Sequence, residues 1–161
     1  MRYEYDANLI TMSLNLNDCN GRMKLNGTLV FLKDLKDFSI INWLVINRSN
    51  GKRSTLYNIT VKDGCQYLEN SFGKISPIFL AVLQNVRKFV PDLPNKCPFR
   101  KNRLITVRDF HYDEDMFPPY LPEVNFSCVL GMQSKRSYIF KIFLTGHSAN
   151  NSSASVHRRK I

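Results

Sequence analysis

The sequence predicts a mainly β, antiparallel, single-domain protein with one amphipathic helix, and three observations carry that reading. Apolar and polar residues alternate over most of the chain, which is the period of half-buried strands. One stretch, Ile75 to Val90, instead repeats its apolar residues at offsets of three and four. Four widely spaced cysteines, Cys19, Cys65, Cys97 and Cys128, bracket that stretch and the strands around it. A chain of 161 residues, 43% apolar and 12% aromatic, is long enough to bury a real core and too apolar to remain disordered. No run approaches the roughly 18 apolar residues of a membrane span.

Ile10, Met12, Leu14 and Leu16 alternate with polar residues and predict the first strand. Asn20-Gly21 is a turn signal, and Leu25, Leu29 and Phe31 share one face of the strand after it. Lys33 to Asp37 is a charged break. Phe38 to Ile46 is apolar on both faces and predicts a central strand. A polar turn over Asn47 to Arg53 leads into an alternating strand from Ser54 to Val61. Short connections make an antiparallel meander the simplest topology for these strands. The helix follows, with Ser76 as N-cap, Pro77 at its first turn, and Pro91 and Pro94 ending it. Leu104 to Arg108 predicts a short strand, and the proline run Phe117 to Pro122 excludes a central one. Val124 to Met132 and Tyr138 to Leu144 predict a closing hairpin. The domain is expected to span 8–146, and the Ser-, Asn- and Arg-rich tail, 147–161, is expected to be disordered.

None of the cysteines forms a CxxC pair, which disfavours zinc and thioredoxin-type chemistry. In an oxidising compartment four cysteines allow three connectivities. Cys65–Cys97 would clip both ends of the helical excursion, leaving Cys19–Cys128; the other pairings stay open. Asn-x-Ser/Thr sequons stand at Asn26, Asn47, Asn58 and Asn125, with a further pair in the tail at Asn150 and Asn151. Asn58 and Asn125 each lie opposite the apolar set of their strand, where a glycan would reach solvent. An extracellular protein is therefore expected. The N-terminus, MRYEYDANLI, has no apolar signal-peptide core, so the expectation includes a signal peptide missing from this sequence. The formal net charge is +10, and Arg158, Arg159 and Lys160 of the tail leave +7 for the rest. The bases are scattered apart from Arg100, Lys101 and Arg103, and no nucleic-acid motif is present, so a solvated surface rather than a nucleic-acid partner is expected.

No nucleophile elbow, P-loop or His-Glu-x-x-His is present, and His111 is the sole histidine away from the tail, so no enzyme is expected. His111 beside Asp113, Glu114 and Asp115 reads as an exposed loop rather than a metal site; no metal and no cofactor are expected. Aromatics in strands usually fill cores. Two splayed sheets with a helix at the opening would nevertheless leave an apolar cavity between them.

Asp63-Gly64-Cys65-Gln66-Tyr67-Leu68, a helix, Asn95-Lys96-Cys97-Pro98-Phe99, and the proline run leading into Val124 to Met132 resemble a large insect family of secreted domains of unknown function, numbered ten ninety-one. The fly CheB-type chemosensory proteins look related to it, and both are similar in outline to the MD-two-related lipid-recognition proteins. The resemblance covers approximately Leu14 to Thr145. It implies an antiparallel, immunoglobulin-like β-sandwich of the lipid-recognition type, an extracellular location and an apolar ligand. That ligand would be a lipid, a fatty acid or a cuticular hydrocarbon acting as a chemosensory signal, with a membrane receptor as a further partner. The pocket candidates are Phe31, Trp43, Tyr57, Ile59, Phe79, Leu83, Phe126 and Phe140. The rival readings are a secreted interaction module with a closed core, and an anionic-polymer or nucleic-acid binder.

Overall fold

A computed structural model describes residues 1–47, 51–69, 77–111, 124–134 and 137–148, without the side chains of residues 57, 77–79, 81, 82, 124 and 148. The fold is mainly β, with two antiparallel sheets facing each other as a sandwich. Strands β1 (Arg2–Tyr5), β4 (Ser39–Asn47), β5 (Arg53–Val61), β7 (Val124–Ser134) and β8 (Ser137–Ser148) form a five-stranded sheet in the order β1-β8-β7-β4-β5. Strands β2 (Ile10–Cys19), β3 (Arg22–Phe31) and β6 (Leu104–Phe110) form the smaller sheet in the order β2-β3-β6. The expected meander is corrected: β2–β3, β4–β5 and β7–β8 are hairpins, but β3 and β4 belong to different sheets. The charged break between them is the crossing point, and it is held by a bridge between Leu35 and Phe99.

The strands follow from their alternation. Ile10, Met12 and Leu14 are buried and their neighbours exposed, so β2 presents one apolar face. Asn20 and Gly21 both have positive φ, as a two-residue hairpin turn requires, and the Asp18 carboxylate accepts the Gly21 N–H at 2.7 Å. A Cβ at residue 27 would run into the Ser13 carbonyl oxygen, so glycine there lets β2 and β3 close. β1 lies ahead of the expected domain start and pairs along β8, which itself continues through Ser148.

Two helices are described rather than one. The short α1 (Gly64–Leu68) begins where the Asp63 side chain caps the Gln66 N–H at 3.0 Å. The second, α2 (Pro77–Phe89), is the expected amphipathic helix; Ser76, its expected N-cap, lies outside the described residues. Leu83 and Phe89 of α2 are buried, and Phe89 meets the Phe110 ring edge-on at 5.8 Å between centroids. The Arg87 guanidinium donates to the Leu68 carbonyl, so α2 also holds the end of α1. Cys65 and Cys97 are disulfide-bonded with Cα atoms 5.5 Å apart, as expected. Cys19–Cys128 is not formed. The hairpin turn leaves Cys19 exposed at the tip of the smaller sheet, while Cys128 is buried on the larger one.

Tyr67 is buried in α1, and burial pushes its phenol up to about 12 against an opposing pull from Arg87. An unfolded tyrosine ionises near 10. The folded chain therefore keeps this proton longer, and the stability it brings is complete below about pH 10 and lost as pH rises towards about 12. Urea titrations at pH 9 and pH 11 are expected to show a smaller alkaline loss in Tyr67→Phe than in the parent.

Candidate functional site

The register of the larger sheet sets out its inner face as four rows. Val61, Ile40, Met132 and Phe140 form the first, and Ile59, Asn42, Leu130, Ile142 and Tyr3 the second. Leu44, Cys128 and Leu144 form the third, and Ser54, Ile46, Phe126 and Gly146 the fourth. The first row, with Ile142, Tyr3 and Leu144, packs into one contiguous core with the smaller sheet and α2. That core does not contain Leu44, Ile46 and Cys128, although all three are buried, nor the half-buried Ile59, Leu130 and Phe126. The inner face of β4, β5 and β7 thus carries apolar surface beyond the body of the core, a satellite cluster towards the Asn47 and Asn125 ends of the strands.

Among the described residues, two polar side chains stand in these outlying rows, the half-buried Ser54 and the buried Asn42. Asn42 is 5% exposed and sits between Ile59 and Leu130 in the ladder. Its carbonyl oxygen accepts a weak hydrogen bond from the Cys128 thiol at 3.7 Å. Among the described residues no other hydrogen bond of the Asn42 side chain is seen. A primary amide carries two N–H donors, so an apolar surface with one amide in it can hold an apolar chain and orient a polar end. Gly146 shapes the far row, because a Cβ there would strike the Phe126 ring. Among the described residues no group of three His, Cys, Asp or Glu could hold a metal ion, and no helix is long and apolar enough to cross a membrane.

The predicted pocket residues divide. Phe31, Leu83 and Phe140 are buried in the contiguous core and not in the satellite cluster. Ile59 and Phe126 do belong to it. Tyr57 and Phe79, as side chains, lie outside the described residues. Trp43 is corrected: it is 42% exposed on the outer face, because Asn42, Leu44 and Ile46 take the inner one. Asn42, Leu44, Ile46, Leu130 and Cys128 were not among the predicted pocket residues. The inward face of Cys128 was legible, and Leu44 is its cross-strand partner, but that partnership needs the β4–β7 register.

The sequons are placed as follows. Asn58 and Asn125 are exposed and Asn47 is half-buried, all three on the outer face of the larger sheet. Asn26 lies on the smaller sheet and is tied at both side-chain atoms to Asp109, donating to the carboxylate at 3.3 Å and accepting the backbone N–H at 2.8 Å. The basic cluster is partly neutralised, since Arg100 pairs with Asp34 at 3.2 Å. The Asp34 carboxyl is held below its usual range, chiefly by the Lys101 backbone N–H. The tail sequons and the acidic residues after His111 lie outside the described residues.

Residues 41–128 match the model of a family described as protein of unknown function (DUF1091). The matched segment opens in β4 and closes in β7, the adjacent strands that carry Leu44 and Cys128. No curated protein matches the chain.

Proposed function

We propose, from the premise that this chain belongs to the DUF1091 family of proteins of unknown function, that it is a secreted, non-enzymatic binding protein for an apolar small molecule such as a lipid or hydrocarbon-like signal. The observation that carries the reading is the satellite cluster: apolar inner-face residues outside the contiguous core, with the amide of Asn42 among them. An apolar chain laid against the half-buried Ile59, Leu130 and Phe126 gains about 0.8 kcal/mol for each buried methylene. The Asn42 amide would fix the polar end. The Cys65–Cys97 bridge supports an oxidising compartment.

The test is the chain expressed through a secretory pathway, examined by native mass spectrometry and by displacement of a fluorescent fatty acid. A saturable one-to-one complex is expected, with Leu130→Arg weakening it at least about tenfold by placing a charge on the apolar face. Protein recovered empty that takes up no fatty acid or hydrocarbon removes the reading. The burial of Leu44, Ile46 and Cys128 favours one alternative, in which the chain itself fills this end and acts through its surface. Unsaturable or absent uptake with intact folding selects that alternative.

A further inference from the structure

The outer face of the larger sheet carries one register row across all five strands: Asn58, Trp43, Val129, Phe143 and Arg2. Trp43 is 42% exposed, and Val129, Phe143 and the neighbouring Ile41 are half-buried. An apolar strip of this kind on a sheet face calls for a cover. At one end the cover is present: the Arg2 guanidinium lies 4.4 Å over the Phe143 ring. At the other end, directly across the strand from Trp43, stands an acceptor sequon, Asn58-Ile59-Thr60. Asn58 and Thr60 are both exposed and, two residues apart on a strand, share the outer face.

We propose that Asn58 carries an N-linked glycan whose first sugar lies on the indole of Trp43 and shields the strip. The chemistry fits on both sides. Cross-strand neighbours have Cβ atoms about 4.5–5.5 Å apart, which is within reach of an aromatic side chain and a substituent on the facing residue. The flat face of an N-acetylglucosamine presents only C–H groups, and these pack on an aromatic ring while the hydroxyls stay in water. Asn26 is the contrasting sequon: its side chain is committed to Asp109, and its cross-strand partner is Asn15 rather than an aromatic residue. The inference is independent of what the satellite cluster binds and requires only passage through a glycosylating compartment.

Trp43 is the one tryptophan of the chain, so its fluorescence reports this spot alone. The full chain, fused to a secretion signal and expressed in insect cells, is mapped by peptide mass spectrometry and then trimmed enzymatically in its folded state. Occupancy of Asn58 in most molecules is expected. Trimming to one N-acetylglucosamine is expected to leave the emission unchanged. Preventing attachment with Asn58→Gln, or with Thr60→Ala where that variant fails to fold, is expected to red-shift the emission and raise acrylamide quenching about twofold or more. An unmodified Asn58 beside occupied sequons elsewhere overturns the proposal. So does a glycan whose absence leaves Trp43 unchanged, or a concentration-dependent dimer in which a second copy covers Trp43.

Discussion

Replacing Cys65 and Cys97 together by serine is expected to lower the unfolding free energy by about 3–4 kcal/mol. The bridge spans a sequence separation of 32, and in the chain-entropy picture closing such a loop restricts the unfolded chain by about that amount. The structural consequence points the same way. Just beyond Cys97, Phe99 is 4% exposed, meets the Phe38 ring edge-on at 5.3 Å and lies 5.0 Å from the Phe31 ring, so it joins β3, the crossing segment and the loop after α2. The Leu35–Phe99 backbone pair, with hydrogen bonds of 2.9 and 3.0 Å, is anchored two residues from the bridge. Losing the bridge releases all of these into a longer, looser loop. Urea unfolding of the parent and the double variant, each with and without reductant, measures the difference. Reductant is expected to move the parent midpoint towards that of the variant and to leave the variant unmoved. Equal midpoints in the absence of reductant exclude the bridge from solution.

The reach of the sequence depended on whether a residue's neighbours in the chain were also its neighbours in space. Ile10, Met12 and Leu14 declared β2 because burial there is a matter of alternation, which is local. Cys65–Cys97 was legible because the helix between them returns the chain to its start. Cys19–Cys128 rested on elimination among four cysteines, and elimination carries no geometry; the turn at Asn20-Gly21 puts Cys19 at an exposed tip. β1 gave no signal, since Arg2, Glu4 and two tyrosines form no apolar face and the strand is held by pairing with β8. α1 is five residues, too short to show a helical period. The parity of β4 was the costliest ambiguity for the site. Ile40, Asn42, Leu44 and Ile46 form one set and Ile41, Trp43, Val45 and Asn47 the other, and both are mostly apolar with one asparagine. Placing Trp43 in the pocket takes the second set as the inner one. The register with β7 reverses that choice, and it also places Trp43 against Asn58.

Ile139→Ala is expected to cost about 3 kcal/mol, with Ile139→Val about 1 kcal/mol, when measured by urea unfolding. Ile139 is 0% exposed and the next residue, Phe140, is buried in the same core, which strict alternation of side chains between two faces does not give. The register explains it. Met132 pairs with Phe140 and Gln133 with Tyr138, so Ile139 is the extra residue of a bulge and both side chains turn into the core. Its carbonyl also accepts the Asp6 N–H at 3.0 Å, tying the end of β1 to the bulge. Truncation there leaves a cavity in the part of the sandwich where both sheets meet, with little room to collapse. The opposite expectation holds at Leu130, which is half-buried outside that core: Leu130→Ala is expected to cost no more than about 1 kcal/mol, because less surface is returned to water and less contact is lost. The pair divides the interior by physical role. Ile139→Ala is expected to lower stability and leave fatty-acid displacement unchanged, and Leu130→Ala to weaken displacement while leaving the unfolding midpoint near that of the parent. A Leu130→Ala variant as unstable as Ile139→Ala would mean that the inner face of β4, β5 and β7 is packed as tightly as the rest, and that apolar surface there serves the fold alone.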